Sequence, residues 1–86
     1  MFTGLVERTG PIEAIEPRSG GARFIINIGP LATEVREGDS IAINGCCLTA
    51  TLIEGERVSF DLLEQTLRVT SLGDLQVGAL VNIERA

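Results

Sequence analysis

Histidine, lysine, tryptophan and tyrosine are all missing from this 86-residue chain, and phenylalanine occurs only 3 times. Without an imidazole, a histidine-based triad, a histidine general base and a Cys/His zinc site cannot be assembled from this chain alone. So few aromatic rings offer little for nucleic-acid bases to stack on. Positive charge is also sparse: the 7 basic residues are all arginines, scattered singly, and the net charge is −5. No basic patch is available to displace counterions, which disfavours nucleic acid and large polyanions as partners. A neutral or weakly charged small molecule fits better. The 2 cysteines, Cys46 and Cys47, are adjacent, with no third to pair with. Neighbouring cysteines rarely bridge each other, so both read as reduced thiols, as expected in the cytoplasm. No apolar run reaches the ~18 residues of a membrane span. The opening Met1-Phe2-Thr3-Gly4 lacks the basic and apolar regions of a secretory leader.

What is present is 44% hydrophobic residues and 10 glycines that punctuate short stretches rich in Ile, Val and Thr. Such a pattern predicts an all-β domain of short antiparallel strands. Residues 4–9 and 11–15 read as one long strand with a bulge or bend at Gly10-Pro11, because proline removes a ladder donor. Further strands are expected over 23–28, 40–44, 46–53, 57–62 and 80–84. Gly20-Gly21 and Glu54-Gly55-Glu56 mark hairpin turns. One helical turn is expected over 31–35 and a short helical stretch over 63–67, followed by a connection over 68–75. Six strands at this spacing, with a short helix or two, predict a closed barrel, which removes exposed edges and offers its mouth to a ligand. A single domain spanning 1–86 is expected. It buries only roughly 60–65% of its unfolded surface, so association with a second copy would help it.

An internal echo links Gly38-Asp39-Ser40-Ile41-Ala42-Ile43-Asn44 to Gly78-Ala79-Leu80-Val81-Asn82-Ile83-Glu84. Alternation places Ile41 with Ile43, and Val81 with Ile83, on a core face. Any glycine turn entering a strand gives the same pattern, so the echo alone leaves a repeat undecided.

Four blocks carry a family resemblance. They are Met1-Phe2-Thr3-Gly4-Leu5-Val6-Glu7, residues 38–49 through Asn44-Gly45-Cys46-Cys47-Leu48-Thr49, residues 58–75 through Asp61-Leu62-Leu63-Glu64-Gln65-Thr66-Leu67-Arg68, and the close, Val77-Gly78 through Val81-Asn82-Ile83-Glu84-Arg85-Ala86. Together and in order they resemble the first barrel of riboflavin synthases. That resemblance implies a six-stranded Greek-key barrel, the first of two in a homotrimeric enzyme, with the chain truncated before the second. It implies the dismutation of two 6,7-dimethyl-8-ribityllumazine molecules into riboflavin and a pyrimidinedione, without a metal or redox cofactor. In the family the two substrates stack between the first barrel of one subunit and the second barrel of another. A lone barrel is then expected to bind one ring with little or no turnover, and to form a homo-oligomer, a dimer when isolated. The alternative is a non-catalytic lumazine or flavin carrier of the antenna type that shares this barrel.

The resemblance maps ring contacts onto three segments: Gly4-Leu5-Val6, Cys47-Leu48-Thr49, and Asp61-Leu62-Leu63-Glu64-Gln65-Thr66. Backbone N–H and C=O groups of short extended segments match the donor and acceptor edge of a pteridine-like ring without charged side chains. Gly4 is expected to let the backbone approach closely. Period-two alternation sets Cys47 and Thr49 on one face and Cys46 and Leu48 on the other. Cys47 reads as a pocket wall or as a small apolar core residue, and Thr49 as a ring contact or a plain β-branched strand residue. Ser40 contacts substrate or caps its turn, and with Cys47 it is the candidate for a direct part in catalysis. Thr66 and the backbone of Leu62–Glu64 are expected to hold the ribityl chain, unless Thr66 merely ends a helix. Phe2 reads as a pocket edge, an interface residue or core. Asp61 and Glu64 read as a solvated pair rather than as acid and base. Many family members carry Glu at the position of Gln65, which keeps hydrogen-bonding reach and loses the charge.

Overall fold

Two left-handed residues in succession, Asn44 (φ 49°) and Gly45 (φ 79°), set the sharpest turn of the chain. Asn-Gly in this conformation matches the right-handed twist of the flanking strands, so it closes a two-residue hairpin with Ile43 opposite Cys46. The computed structural model describes residues 2–86, and Met1, the first residue of the opening block, lies outside them. The strands are β1 (Arg8–Arg18), β2 (Gly21–Asn27), β3 (Ser40–Ile43), β4 (Cys46–Glu54), β5 (Arg57–Leu63) and β6 (Leu80–Arg85). One α-helix, α1 (Glu64–Val69), and 3-10 turns at Gly29–Glu34 and Ser71–Asp74 complete the chain. The strands close into an antiparallel barrel in the order β1-β2-β5-β4-β3-β6.

Two strands are long because each changes partner half-way. β1 pairs with β6 from Arg8 to Pro11 and with β2 from Ile12 onward, with a register shift between Ile12 and Ala14. β4 pairs with β3 from Cys46 to Thr49 and with β5 from Ala50 onward, with a shift between Ala50 and Leu52. An extra residue bends a strand and raises its twist, which turns the corner a small barrel needs. The bend expected at Gly10-Pro11 thus lies at the partner change, one step before the shift. β1 begins later than expected, at Arg8: residues 4–7 leave the ladder and run along the outside. α1 reaches two residues past the expected stretch, to Val69.

The echo is a structural repeat. Gly38 and Gly78 share φ 94°. Gly38 N–H donates to Ala50 C=O and Gly78 N–H to Ile12 C=O, each at 2.8 Å; Ala50 N–H donates to Asp39 C=O and Ile12 N–H to Ala79 C=O, each at 2.9 Å. The repeated isoleucines meet in the barrel wall, Ile43 opposite Ile83. The unit β1-β2-β3 therefore recurs as β4-β5-β6, and the second copy carries α1 as an insertion.

The core follows the alternation. Along β2, buried Ala22, Phe24 and Ile26 alternate with half-buried Arg23 and Ile25. Phe24 and Phe60 are cross-strand partners, 2% and 0% exposed. Ile12, Ile28, Ile41, Val58, Leu72 and Val81 fill the rest. Among the described residues no helix is long and apolar enough to cross a membrane. Truncating one of the paired rings leaves a cavity its neighbours cannot fill. Phe60→Ala is expected to cost about 3–5 kcal/mol in urea denaturation, a large share of the ~5–15 kcal/mol of an ordinary domain.

Candidate functional site

The partner change in β4 ends its ladder with β5 at Ala50. Beyond the pair Ala50–Phe60, β4 and β5 form no further partner pairs. β4 continues back through Thr49, Leu48 and Cys47 along β3, while β5 runs on through Asp61, Leu62 and Leu63 along β2. Ala50 turns both its backbone groups toward the β3 side, to Asp39 and Gly38. Alternation then points the N–H and C=O of Thr49 and Cys47 the other way, toward β5. Glu64 N–H donates to Gly20 C=O at 2.8 Å on the β2 side, so Leu63 and Asp61 point theirs toward β4. Two polar backbone edges therefore face each other at this seam, past the last partner pair.

Side chains around the seam divide by face. Cys47 and Thr49 are exposed and Leu48 is buried, as alternation predicts; Cys46 is half-buried against the core. Leu48 and Leu62, 7% and 3% exposed, turn their side chains inward, so only their backbones reach the outer surface. Ser40 lies directly opposite Thr49, and Ala42 opposite Cys47. Ser40 also borders a cleft of about 230 Å3 with Glu34 and Arg85.

Residues 3–7 form a strap across this outer face. Gly4 and Val6 lie over Ala42, Asn82 and Glu84 and enclose about 100 Å3. Gly4 is needed for its conformation (φ 84°), since a Cβ there meets nothing within 4 Å. That open space leaves room for the close backbone approach of a ligand expected there. Leu5 and Val6 are 73% and 52% exposed. Phe2 is half-buried.

On the far side of the seam, Asp61 is committed elsewhere. Its two oxygens accept Arg23 Nε–H and Nη2–H at 2.8 and 3.1 Å. Asp61 and Glu64 are both exposed, as expected of solvated carboxylates, and Asp61 also holds a cross-strand ion pair with Arg23. Leu63 is 71% exposed. Glu64 and Gln65 open α1 with exposed side chains; Thr66 is half-buried, and its C=O accepts Thr70 N–H at 3.1 Å and Thr70 Oγ1–H at 2.7 Å.

The seam's counterpart in the first half of the repeat is closed. A Cβ on Gly10 would stand 2.0 Å from Asn27 O, and the Arg8 guanidinium lies against Gly29. Leu48 occupies the position in β4 that Gly10 occupies in β1, and the longer second connection carries α1 away from the strand end. The two related seams therefore differ in side-chain size and in the length of the connection beside them.

Residues 3–86 match the family profile described as Lumazine binding domain. The chain belongs to the lumazine-binding domain family. It is 45% identical over 87 residues to the riboflavin synthase of Escherichia coli (strain K12), covering 100% of this chain and 41% of that protein. To the riboflavin synthase of Bacillus subtilis (strain 168) it is 41% identical over 86 residues, covering 100% and 40%. A solved structure of LumP complexed with 6,7-dimethyl-8-(1'-D-ribityl) lumazine superposes with a TM-score of 0.92 at 32% identity, covering 100% of this chain and 49% of that one. LumP complexed with riboflavin gives 0.91 at 34%, covering 99% and 46%. The chain spans about two-fifths of the length of the curated relatives it matches.

In this lumazine-binding domain the charges serve the scaffold. Among the described residues no group of three or more His, Cys, Asp or Glu is placed to hold a metal. Hydrogen bonds from Arg23 hold the Asp61 carboxyl below its usual value of 3.8, and burial pushes the Cys46 thiol up, with Cys47 adding to the effect. Hydrogen bonds from the Arg85 side chain and backbone hold the Glu7 carboxyl below its usual 4.5. Residues missed from sequence are Arg23, Ala42 and Glu84. Their only signal was the alternation that put them on outer faces.

A carboxyl whose folded pKa is depressed contributes stability above its unfolded value, and that contribution is lost as pH falls through the folded pKa. Glu7→Gln removes one such group. In urea denaturation the unaltered chain is expected to lose more stability than Glu7→Gln between about pH 6 and about pH 3. Equal losses would show that the Glu7–Arg85 pair is not linked to folding.

Proposed function

We propose that this chain is the lumazine-binding first barrel of a riboflavin synthase and holds one 6,7-dimethyl-8-ribityllumazine or riboflavin ring at the β4–β5 seam. One observation carries the reading: the segments that resemble the synthase are those the fold gathers around the seam. In this reading Cys47, Thr49 and Leu63 meet the ring edge through backbone N–H and C=O groups, and the Cys47 side chain lies beside the ring. Gly4, Leu5 and Val6 wall one side. The ribityl chain runs along Leu62, Leu63 and Glu64 toward Gln65 and Thr66, where hydroxyl groups find partners. Asp61 contributes its backbone only, because its carboxylate is held by Arg23.

The full reaction transfers a four-carbon unit between two stacked lumazines. Much of its rate would come from holding two rings in register. A barrel with one such seam binds one of them, so this chain by itself binds without appreciable turnover, and Ser40 and Cys47 act in catalysis only when a second barrel faces them. Exposed Leu5, Val6, Leu63 and Val69 near the seam support association with another barrel, as a dimer here and a trimer at full length. The order β6-β3-β4-β5 supports the Greek-key reading. The free thiols of Cys46 and Cys47 agree with a reducing compartment such as the cytoplasm. The fold match to ligand-bound LumP favours a carrier as the second reading, but its 32–34% identity is below the 41–45% shared with the synthases.

With no Trp or Tyr, the chain leaves flavin and lumazine fluorescence unobscured. Titrating 6,7-dimethyl-8-ribityllumazine and riboflavin is expected to give saturable changes, weakened up to about tenfold by Cys47→Ser and little changed by Thr49→Ala, which keeps the backbone groups. A folded sample that changes neither signal would contradict the reading. Dismutation by the chain alone at the rate of a two-barrel enzyme would contradict the division of labour.

A further inference from the structure

We propose that Glu84 is a positioning residue, whose buried carboxylate pins the strap of residues 3–7 so that Leu5 and Val6 stand as a preset wall of the ligand site. This rests on the ligand reading above. Glu84 occupies an outward position of β6, opposite Ala42, yet it is only 8% exposed. A carboxylate on the outside of a barrel is ordinarily hydrated, and covering one is costly unless donors replace the water. Here the strap supplies them. Oε2 of Glu84 accepts Thr3 N–H, Thr3 Oγ1–H at 3.1 Å and Gly4 N–H at 3.1 Å. Thr3 Oγ1 in turn accepts Leu5 N–H at 3.2 Å.

A second clasp lies four residues on. Glu7 N–H donates to Ile83 C=O at 2.9 Å, and the Glu7 carboxylate is gripped by Arg85 at 2.7 Å. Between the two clasps the strap has no ladder to hold it, and its apolar side chains are held outward rather than laid on the barrel. Ala42 beneath is small and 4% exposed, which lets the strap pass close to β3. Ala42 separates Glu84 from Cys47 in one cross-strand row. Glu84 therefore acts on the ligand only through the strap. A wall fixed before binding spares the ligand the entropy of ordering it.

The test compares Glu84→Ala, Glu84→Gln and a chain lacking residues 1–6. It reads amide hydrogen exchange at Thr3 and Gly4, the unfolding midpoint, and the Kd for 6,7-dimethyl-8-ribityllumazine. Glu84→Ala is expected to speed exchange at both amides and to weaken binding about tenfold, with the sample still folded. Glu84→Gln keeps an acceptor oxygen and is expected to restore most of both. The shortened chain should bind as weakly as Glu84→Ala, and adding Glu84→Ala to it should cost nothing further. Unchanged exchange in Glu84→Ala, or a lowered unfolding midpoint with unchanged Kd, would overturn the proposal. So would a further loss in the shortened chain. If the unaltered chain binds no ligand, the wall role falls with the ligand reading, and the exchange comparison alone decides whether Glu84 holds the strap.

Discussion

The change of partner at Ala50 is the constraint on which the rest of this domain depends. Up to Thr49 the strand belongs to β3; from Ala50 it belongs to β5. A six-stranded barrel this small needs such corners, since its two halves must cross at a steep angle to close. Closure satisfies most backbone groups in the wall. Where β4 and β5 part, Cys47 and Leu63 keep polar groups aimed into the gap. A ring with alternating donors and acceptors along its edge can complete those edges as a strand would, without a charged side chain. In the proposed reading, that is how a chain with no histidine and no lysine would hold a ring at the seam.

The repeat shows what makes a seam usable. Both halves have the same glycine turns, the same partner change and the same bonds from turn to strand. In the first half Gly10 lets Asn27 close in, and Arg8 covers Gly29. In the second half Leu48 fills the core position, and α1 extends the connection beyond the strand end. Asymmetry of side-chain size and loop length, laid on a symmetric backbone, makes the two seams different. Charge stays at the periphery: Arg23 with Asp61, Arg85 with Glu7 and Glu34, each tying neighbouring segments together.

Much of this was legible in the sequence. Glycine-bounded alternation located all six strands, the inward Cys46 and Leu48 and the outward Cys47 and Thr49, because period two is a property of the strand itself; the Asn44-Gly45 hairpin was read only as a break at Gly45, with Asn44 left in the strand. The repeat was visible as an echo, but only bonds between Gly38 and Ala50, and between Gly78 and Ile12, distinguish it from coincidence. The path of residues 4–7 was not legible. Leu5-Val6 alternates poorly, and its course is dictated by a carboxylate at the other end of the chain. The ion pair of Asp61 was likewise not legible, since its partner Arg23 is a cross-strand neighbour that no local pattern announces. At Gly4 the sequence pointed to close approach of a ligand, and the structure adds a left-handed backbone.

The most direct test of the central claim is a structure of this chain bound to 6,7-dimethyl-8-ribityllumazine. The account predicts a ring in the seam, with its edge hydrogen-bonded to backbone N–H and C=O groups of Cys47, Thr49 and Leu63 and with Leu5 or Val6 against it. A ring seated instead in the 410 Å3 cleft beneath α1, against Ile15, Phe24 and Leu67, with the seam unchanged, would contradict it.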